Sequence, residues 1–416
     1  MKIEMKYGKG KLSFEIESKN HLGTLLPNEN DNELNGKDQV LRAMQNPIGT
    51  KRLGEIVSKG EKVAIVTSDI TRPMPSKTVL PLVIDELKSA GILQEDIMVV
   101  FALGSHRKHS EQEKRMLAGN EIFESPVKLV DSDAEDCINF GVCGNKTPVD
   151  IFRPVAEADR VVCLGNIEYH YFAGYSGGAK ALMPGVSSRR AIQINHSNMV
   201  REEARAGNLD TNPVRQDIDE TGKHIKIDFI VNVVLNSKKE IASAVAGDYI
   251  KAHRAGCRLL DEMYGVEIKE KADIVVVSPG GYPKDINLYQ SQKGLDNAKH
   301  AVKDGGIVIL VASAKEGFGE KTFEDWMKTM TPDQMISEIR KNFKLGGHKA
   351  AAIAMILKRA EIFMVTDLND ETVRGIGFKP FDTVQDAIDL ALSVKGEEAK
   401  VLMMTLAGST LPIFYS

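Results

Sequence analysis

Between Asn166 and Ser197 the chain reads N-I-E-Y-H-Y-F-A-G-Y-S-G-G-A-K-A-L-M-P-G-V-S-S-R-R-A-I-Q-I-N-H-S, which gathers His170, Lys180, His196 and four glycines into about one loop and one helix. A segment that only packs would repeat apolar residues at a period of two or near four. Here small residues let backbone approach a ligand closely, while three chemically useful side chains surround it. The run Gly174-Tyr175-Ser176-Gly177-Gly178-Ala179-Lys180 reads as a phosphate cradle, because successive small residues allow N–H groups to converge on an anion. It is not a P-loop, since neither Ser nor Thr follows Lys180, and no G-x-G-x-x-G follows a strand to argue for a dinucleotide. A compact, mononucleotide-like phosphorylated ligand fits, with Lys180 as a point charge or a covalent attachment point. His196 is either a core histidine or a ligand to a metal that the cofactor carries.

Three other segments bring acids, bases and cations to places where strands should end. Ser68-Asp69-Ile70-Thr71-Arg72-Pro73 combines a carboxylate with an arginine suited to bidentate contact with carboxylate or phosphate. Gly104-Ser105-His106 offers a histidine at the next exit. His109, followed by Ser110 and a Glu-Gln-Glu run, reads instead as the approach to a solvated helix N-terminus. Further on, Ser278-Pro279-Gly280-Gly281-Tyr282-Pro283 precedes Tyr289-Gln290-Ser291-Gln292-Lys293. Gln290 and Lys293 are three apart and share a face near a helix N-terminus, where an anion is favoured.

The elements that must position these residues follow from hydrophobic pattern. Apolar β-branched runs at Lys62 to Thr67, Ile97 to Ala102, Val127 to Val130, Arg160 to Leu164, Ile227 to Val234, Ile274 to Val277, Gly306 to Val311, Ile362 to Val365 and Lys400 to Met404 predict strands. Helical windows lie between most of them, among them Ser76 to Ala90, Ser187 to Asn195, Tyr249 to Tyr264, Tyr289 to Lys303, Lys349 to Arg359 and Val384 to Val394. Near-continuous apolar strands alternating with helices predict an α/β fold with mostly parallel sheets, whose ligands bind beyond the strands' carboxyl ends. A hairpin is expected at Lys2 to Glu17, and an irregular polar stretch from Gly23 to Thr50. The charged tract Val266 to Ala272 suggests a division into residues 1–268 and 269–416.

At 416 residues, two or three domains are expected. A net charge of -4 without basic blocks argues against nucleic acid or an anionic membrane surface as partner. Cys137, Cys143, Cys163 and Cys257 form no C-x-x-C pair or zinc spacing and are expected to be reduced. With no signal-like start and no run of about 18 apolar residues, a cytoplasmic protein is expected.

Taken together, the motifs S-D-x-T-R-P, G-x-H-R (Gly104 to Arg107), H-Y-F-A-G-Y-S-G-G-x-K (His170 to Lys180), M-P-G, N-H-S, G-G-Y-P and Y-Q-x-x-K resemble those of the nickel-dependent lactate racemases, over most of the chain and in the same order. The resemblance implies two α/β domains with the active site in the cleft between them, the first holding the cofactor and the second contributing substrate-binding residues. It implies a nickel-pincer nucleotide tethered through Lys180, with His196 as protein ligand to the nickel. His106 and His170 match the two histidines that exchange the hydroxyl proton. Asp69, Ile70, Thr71 and Arg72 match the cofactor-binding segment, with Arg72 also near substrate, while Tyr289, Gln290 and Lys293 match substrate-binding positions. The implied partners are a 2-hydroxy acid and cofactor-assembly proteins.

Two departures stand out. Where the resemblance places a Trp, this chain has Gly346-Gly347-His348-Lys349, and its only Trp is Trp326. His348 is therefore expected beside the substrate, in a pocket open to a larger or more polar side chain than lactate's methyl. Ile70 and Ala179 stand where His and Arg are expected. Two other readings share parts of the pattern: a pyridoxal-phosphate enzyme would also want a lysine near a Gly-rich loop, and a carrier or sensor of the nickel nucleotide would need Lys180 and His196 but neither His106 nor His170.

Overall fold

A computed structural model describes residues 1–28 and 35–414. They form two compact units, one running from residue 35 to Asp261 and the other combining residues 1–28 with those from Glu262 onward. The expected contiguous stretch 1–268 is thus divided, and the reason lies in the N-terminal hairpin. Strands Lys2–Tyr7 and Gly10–Glu15 pair antiparallel as expected, and Ile3, Met5 and Phe14 project from one face. A lone hairpin cannot shelter that face. It is buried with Ile274, Val276, Ile307 and Ile309 of the second unit. Running into the stretch expected to be irregular, His21–Leu25 forms a strand parallel to Val401–Met404.

In the unit spanning residues 35–261 a six-stranded sheet runs in the order Ile241–Gly247, Phe229–Leu235, Arg160–Ile167, Val63–Ser68, Ile97–Ala102, Lys128–Asp131. All neighbours are parallel except the edge pair Ile241–Gly247 and Phe229–Leu235. Residues 63–67 and 161–167 are buried throughout, the signature of strands covered on both faces. Helices Gly36–Gln45 and Ser76–Ser89 supply Val40, Met44, Val79, Leu80, Val83 and Leu87 to the same core as Ile65, Val99 and Phe101. Strand order reverses between Val63–Ser68 and Arg160–Ile167, which opens a crevice at their carboxyl ends. Those two exits carry Asp69 to Arg72 and Glu168 to His170.

The other unit has the sheet order Lys379–Phe381, Glu361–Val365, Val302–Val311, Ala272–Val277, Val401–Met404, His21–Leu25, parallel throughout. The helix expected from Tyr289 to Lys303 spans Leu288–Ala298, because the chain has already entered the strand at Val302. Gly281 packs against the hairpin, where a Cβ would stand 2.9 Å from Lys6 Cβ. All four cysteines are free, and among the described residues no helix is long and apolar enough to cross a membrane.

Candidate active site

The strand Val63–Ser68 delivers Asp69 into a tight turn. Its Oδ1 accepts from the Thr71 N–H at 2.6 Å and from the Thr71 hydroxyl at 2.5 Å, and its Oδ2 lies 2.6 Å from His106 Nδ1. Burial opposes ionisation of this carboxyl, but the His106 and Thr71 hydrogen bonds outweigh it and hold Asp69 below the usual range. A carboxylate only accepts, so His106 carries its proton on Nδ1 and keeps the lone pair at Nε2, the arrangement of a general base. The loop bearing His106 is fixed by Gly104 N–H donating to Gly185 O and Leu103 N–H donating to Ser132 Oγ.

This geometry yields a prediction for Asp69→Asn. The Thr71 donors claim the amide oxygen, so the amide NH2 faces His106 Nδ1 and drives the ring proton to Nε2. The turnover number should fall roughly 10²–10⁴-fold, as for a base held in the wrong tautomer. Measurement of the turnover number checks this, and a loss under threefold contradicts it.

His109 departs from expectation. Ser110 does cap the helix Glu111–Ala118, but His109 turns inward and is buried against Phe101. Its Nδ1 pairs with Asp131 Oδ1 at 2.6 Å and its Nε2 accepts from the Ile70 N–H at 3.1 Å. It braces the turn that holds Asp69. Arg72 is exposed and has no side-chain hydrogen bond or ion pair among the described residues, which leaves its guanidinium available to an anion.

His170 sits in a small hairpin, with Tyr169 opposite Tyr175 and His170 opposite Gly174. Gly174 has φ 77° and lies so close to Asn208 O that a Cβ would meet it at 2.2 Å, so the turn requires glycine. The His170 Nδ1 accepts from the Ala173 N–H at 3.2 Å, which places the proton of the neutral ring on Nε2. Burial, reinforced by Lys180 and Arg72, keeps this imidazole neutral well below the ordinary histidine range. Phe172 stands edge-on to both His170 and His196, with ring centroids 4.5 and 4.9 Å away.

Lys180 lies in the 3₁₀ turn Gly178–Ala181. Burial first, then the Arg72 and Arg215 guanidiniums, hold it well below the usual lysine range against the opposing effect of Glu168. That shift favours the neutral amine form that covalent attachment needs. His196 occupies the last turn of the helix Arg189–Ser197. Its Nδ1 is 3.0 Å from Asn195 Oδ1, and the Asn195 amide is oriented by donating to Val214 O. Nδ1 therefore donates, and the lone pair resides on Nε2, as in metal-binding histidines whose other nitrogen is held by an outer acceptor.

The donors from Lys180 to His196 thus fit a lysine-tethered metal nucleotide. Cys143, Asp217 and Glu220 also converge closely enough to hold a cation. Their atoms are already engaged, however. Asp217 accepts from Asn145 and from the Thr147 hydroxyl, Glu220 accepts from the Gly144 N–H, and burial raises the Cys143 thiol to about 12. The cluster closes the turn at 143–147.

Behind the loop lies His253, whose Nε2 donates to Ser176 O at 2.8 Å. Burial and the Arg215 charge lower it to about 3. Below pH ~6.5 the unfolded chain takes up a proton there that the native state refuses, so stability should fall from that pH towards 3 at ~1.4 kcal/mol per pH unit. Urea unfolding at pH 7 and pH 5 should show wild type losing ~2 kcal/mol more than His253→Gln. Equal losses would remove His253 from the acid response.

In the other unit Asn287 caps the helix Leu288–Ala298 by accepting from the Gln290 N–H, and both Gln290 and Lys293 are exposed on it. Lys349 Nζ lies 3.9 Å from the Tyr289 ring centroid and donates to Tyr289 O at 2.7 Å. Burial, then Lys293, lower this ammonium to about 7. His348 is buried, accepts from the Gly346 N–H at 3.0 Å and stands edge-on to Tyr289. Trp326, distant in sequence, is a neighbour of this segment after all: a Cβ on Gly347 would come within 2.7 Å of its ring.

A mostly parallel sheet whose strand exits carry a histidine–aspartate pair, a second histidine and a lysine of lowered pKa is the arrangement expected of an α/β enzyme. Family models described as the lactate racemase N-terminal domain and the lactate racemase C-terminal domain match residues 7–207 and 267–409. The chain belongs to the lactate racemase family, a family of isomerases. It is 36% identical over 411 residues to the lactate racemase of Thermoanaerobacterium thermosaccharolyticum, covering 96% of each chain. Against the lactate racemase of Lactiplantibacillus plantarum it is 31% identical over 414 residues, with 97% of each covered. The solved lactate racemase apoprotein from T. thermosaccharolyticum superposes with a TM-score of 0.88 at 35% identity, covering 99% of this chain and 100% of that one. A protein from Thermotoga maritima shares the fold, with a TM-score of 0.63 at 18% identity, over 92% of this chain and 100% of its own.

Proposed function

We propose that the protein is a cytoplasmic racemase of lactate or a more polar 2-hydroxy acid that works through a nickel-pincer nucleotide held by Lys180 and His196. The observation that carries this reading is the pairing of His106 Nδ1 with Asp69, which makes His106 a base at Nε2, in the same unit as His170. Lys180 would tether the nucleotide, His196 Nε2 would bind its nickel, and Asp69, Ile70, Thr71 and Arg72 would line it. Once bound, it supplies a reversible hydride acceptor, so the α-carbon can pass through a planar 2-keto acid.

Direct removal of the α-proton beside a carboxylate is hard, so on this reading the histidines handle only the hydroxyl proton. His106 Nε2 takes it from one enantiomer, and the Asp69 carboxylate steadies the imidazolium that forms. His170 serves the other enantiomer. Its resting tautomer holds the proton on Nε2, so acting as a base costs it the long Ala173 contact, about 1 kcal/mol. Arg72 in its unit, and Gln290 and Lys293 in theirs, would each be donors suited to a carboxylate. Tyr289, His348 and Lys349 give the segment around them a polar character in which a second polar substituent is tolerated.

The test uses protein made together with cofactor-assembly proteins, followed by intact mass, nickel content and chiral separation of lactate, malate and longer 2-hydroxy acids. Racemisation together with a covalent adduct and bound nickel supports the reading. Racemisation with neither defeats the cofactor assignment. A borohydride-reducible absorbance without nickel would indicate pyridoxal phosphate, and adduct with nickel but no racemisation would indicate a carrier.

A further inference from the structure

Beside its own hairpin contacts and the Ser176 bonds to Asn166 and Glu168, the loop between His170 and Lys180 is held by side chains that arrive later in the chain. Asn212 Nδ2 donates to Phe172 O at 2.9 Å. Arg215 Nε donates to Ala173 O at 3.3 Å and its Nη2 to Tyr175 O. His253 Nε2 donates to Ser176 O, and Asn232 Oδ1 accepts from the Gly178 N–H at 2.8 Å. Arg215 is the centre of this set, with a fully buried side chain. Buried guanidinium is tolerable only with its donors satisfied and its charge met. Asp219 meets it through Nη1 at 3.3 Å and also binds Arg254 Nη2 at 2.5 Å. Arg254 Nη1 in turn lies 2.8 Å from His253 Nδ1, which fixes the His253 proton on Nε2, facing Ser176 O.

We propose that Arg215, locked by Asp219 and Arg254, is the positioning residue that sets the loop between His170 and Lys180 and so places base and tether for the reaction. The inference rests on the roles given above to His170 and Lys180. Three features favour a functional purpose over packing alone. A buried arginine is a costly way to hold a turn, the two carbonyls it binds lie between the proposed base and the proposed tether, and its charge acts on both. Lys180 feels Arg72 and Arg215 as like charges, with Glu168 opposing them, so the Arg215 cation favours the neutral amine.

The test compares Arg215→Met and Arg215→Lys with wild type after thermal melts confirm folding. In loaded enzyme, Arg215→Met should lower kcat about 10–100-fold at nearly unchanged KM, the effect of a small misplacement of reacting groups. Arg215→Lys, which keeps the charge and one donor, should recover part of that loss. In cofactor-free protein, acetylation of Lys180 by an N-hydroxysuccinimide ester at pH 7.5, followed by peptide mass, should be several-fold slower in Arg215→Met than in wild type. Wild-type kcat and wild-type acetylation rate in folded Arg215→Met overturn the proposal. Should that variant not fold, Arg254→Gln takes its place. Arg254 is partly exposed, and its loss should give a smaller change in the same direction, so no change there also overturns the proposal. If wild type carries no adduct at Lys180, the assignment of the tether fails instead, while the acetylation rates still report on Arg215.

Discussion

His106→Ala and His170→Ala should each abolish racemisation while the protein keeps its covalent adduct and its nickel. A racemase must take the hydroxyl proton from either enantiomer, and the two bases act in one cycle, so removing one stops net inversion in both directions. A loss of roughly 10³-fold or more is expected for each, within the range for a positioned acid–base group. The double variant should be no slower than the slower single one, because groups that act as a unit are not additive. Chiral separation gives the rates, and intact mass with metal analysis gives the loading. Near-normal turnover in either single variant removes that histidine from the mechanism. The hydrogen bonds make the pair unequal, since His106 rests as a base against Asp69 whereas His170 rests with its proton on Nε2.

Lys180→Ala and Lys180→Arg should both lose the adduct, with turnover down by roughly 10⁴-fold or to background if the cofactor carries the difficult chemistry. Arginine preserves a cation but offers no neutral amine, so its failure separates tethering from charge. His196→Ala should behave differently, keeping the adduct mass on Lys180 while nickel content falls. Intact mass and nickel analysis on the same preparations distinguish the two. An active Lys180→Arg enzyme would mean that Lys180 contributes only its charge.

Much of the architecture could be read from residue pattern, because parallel strands buried on both faces leave continuous apolar runs such as Val63 to Val66 and Val161 to Leu164. The titratable residues at the strand exits were equally visible, since nothing about packing calls for them. What escaped was the support. Asn212-Pro213 is a helix-start signal, a cap followed by proline, and it could have located the helix Pro213–His224. Arg215 on that helix's buried face could not have been found this way, because a helical period assigns arginine to solvent. Asn232 inside Phe229–Leu235 was a fair clue, a polar side chain in an otherwise apolar strand. His109 misleads for a local reason: Ser110 and Glu113 do form a capping box, while the pull of Asp131 lies 22 positions away and leaves no mark nearby. The hairpin's allegiance to the far end of the chain depends on contacts across hundreds of residues, which no local pattern encodes.

Four supports of the loop at 172–178 come from positions 212, 215, 232 and 253, all made after it. On the ribosome, Lys180 emerges about 70 residues ahead of the last of its props, several seconds at ordinary rates of synthesis. During that interval the lysine is an ordinary, protonated side chain on an unformed turn. Its lowered pKa is therefore a property of the finished unit, and attachment at Lys180, as proposed above, would follow completion of the chain to at least His253.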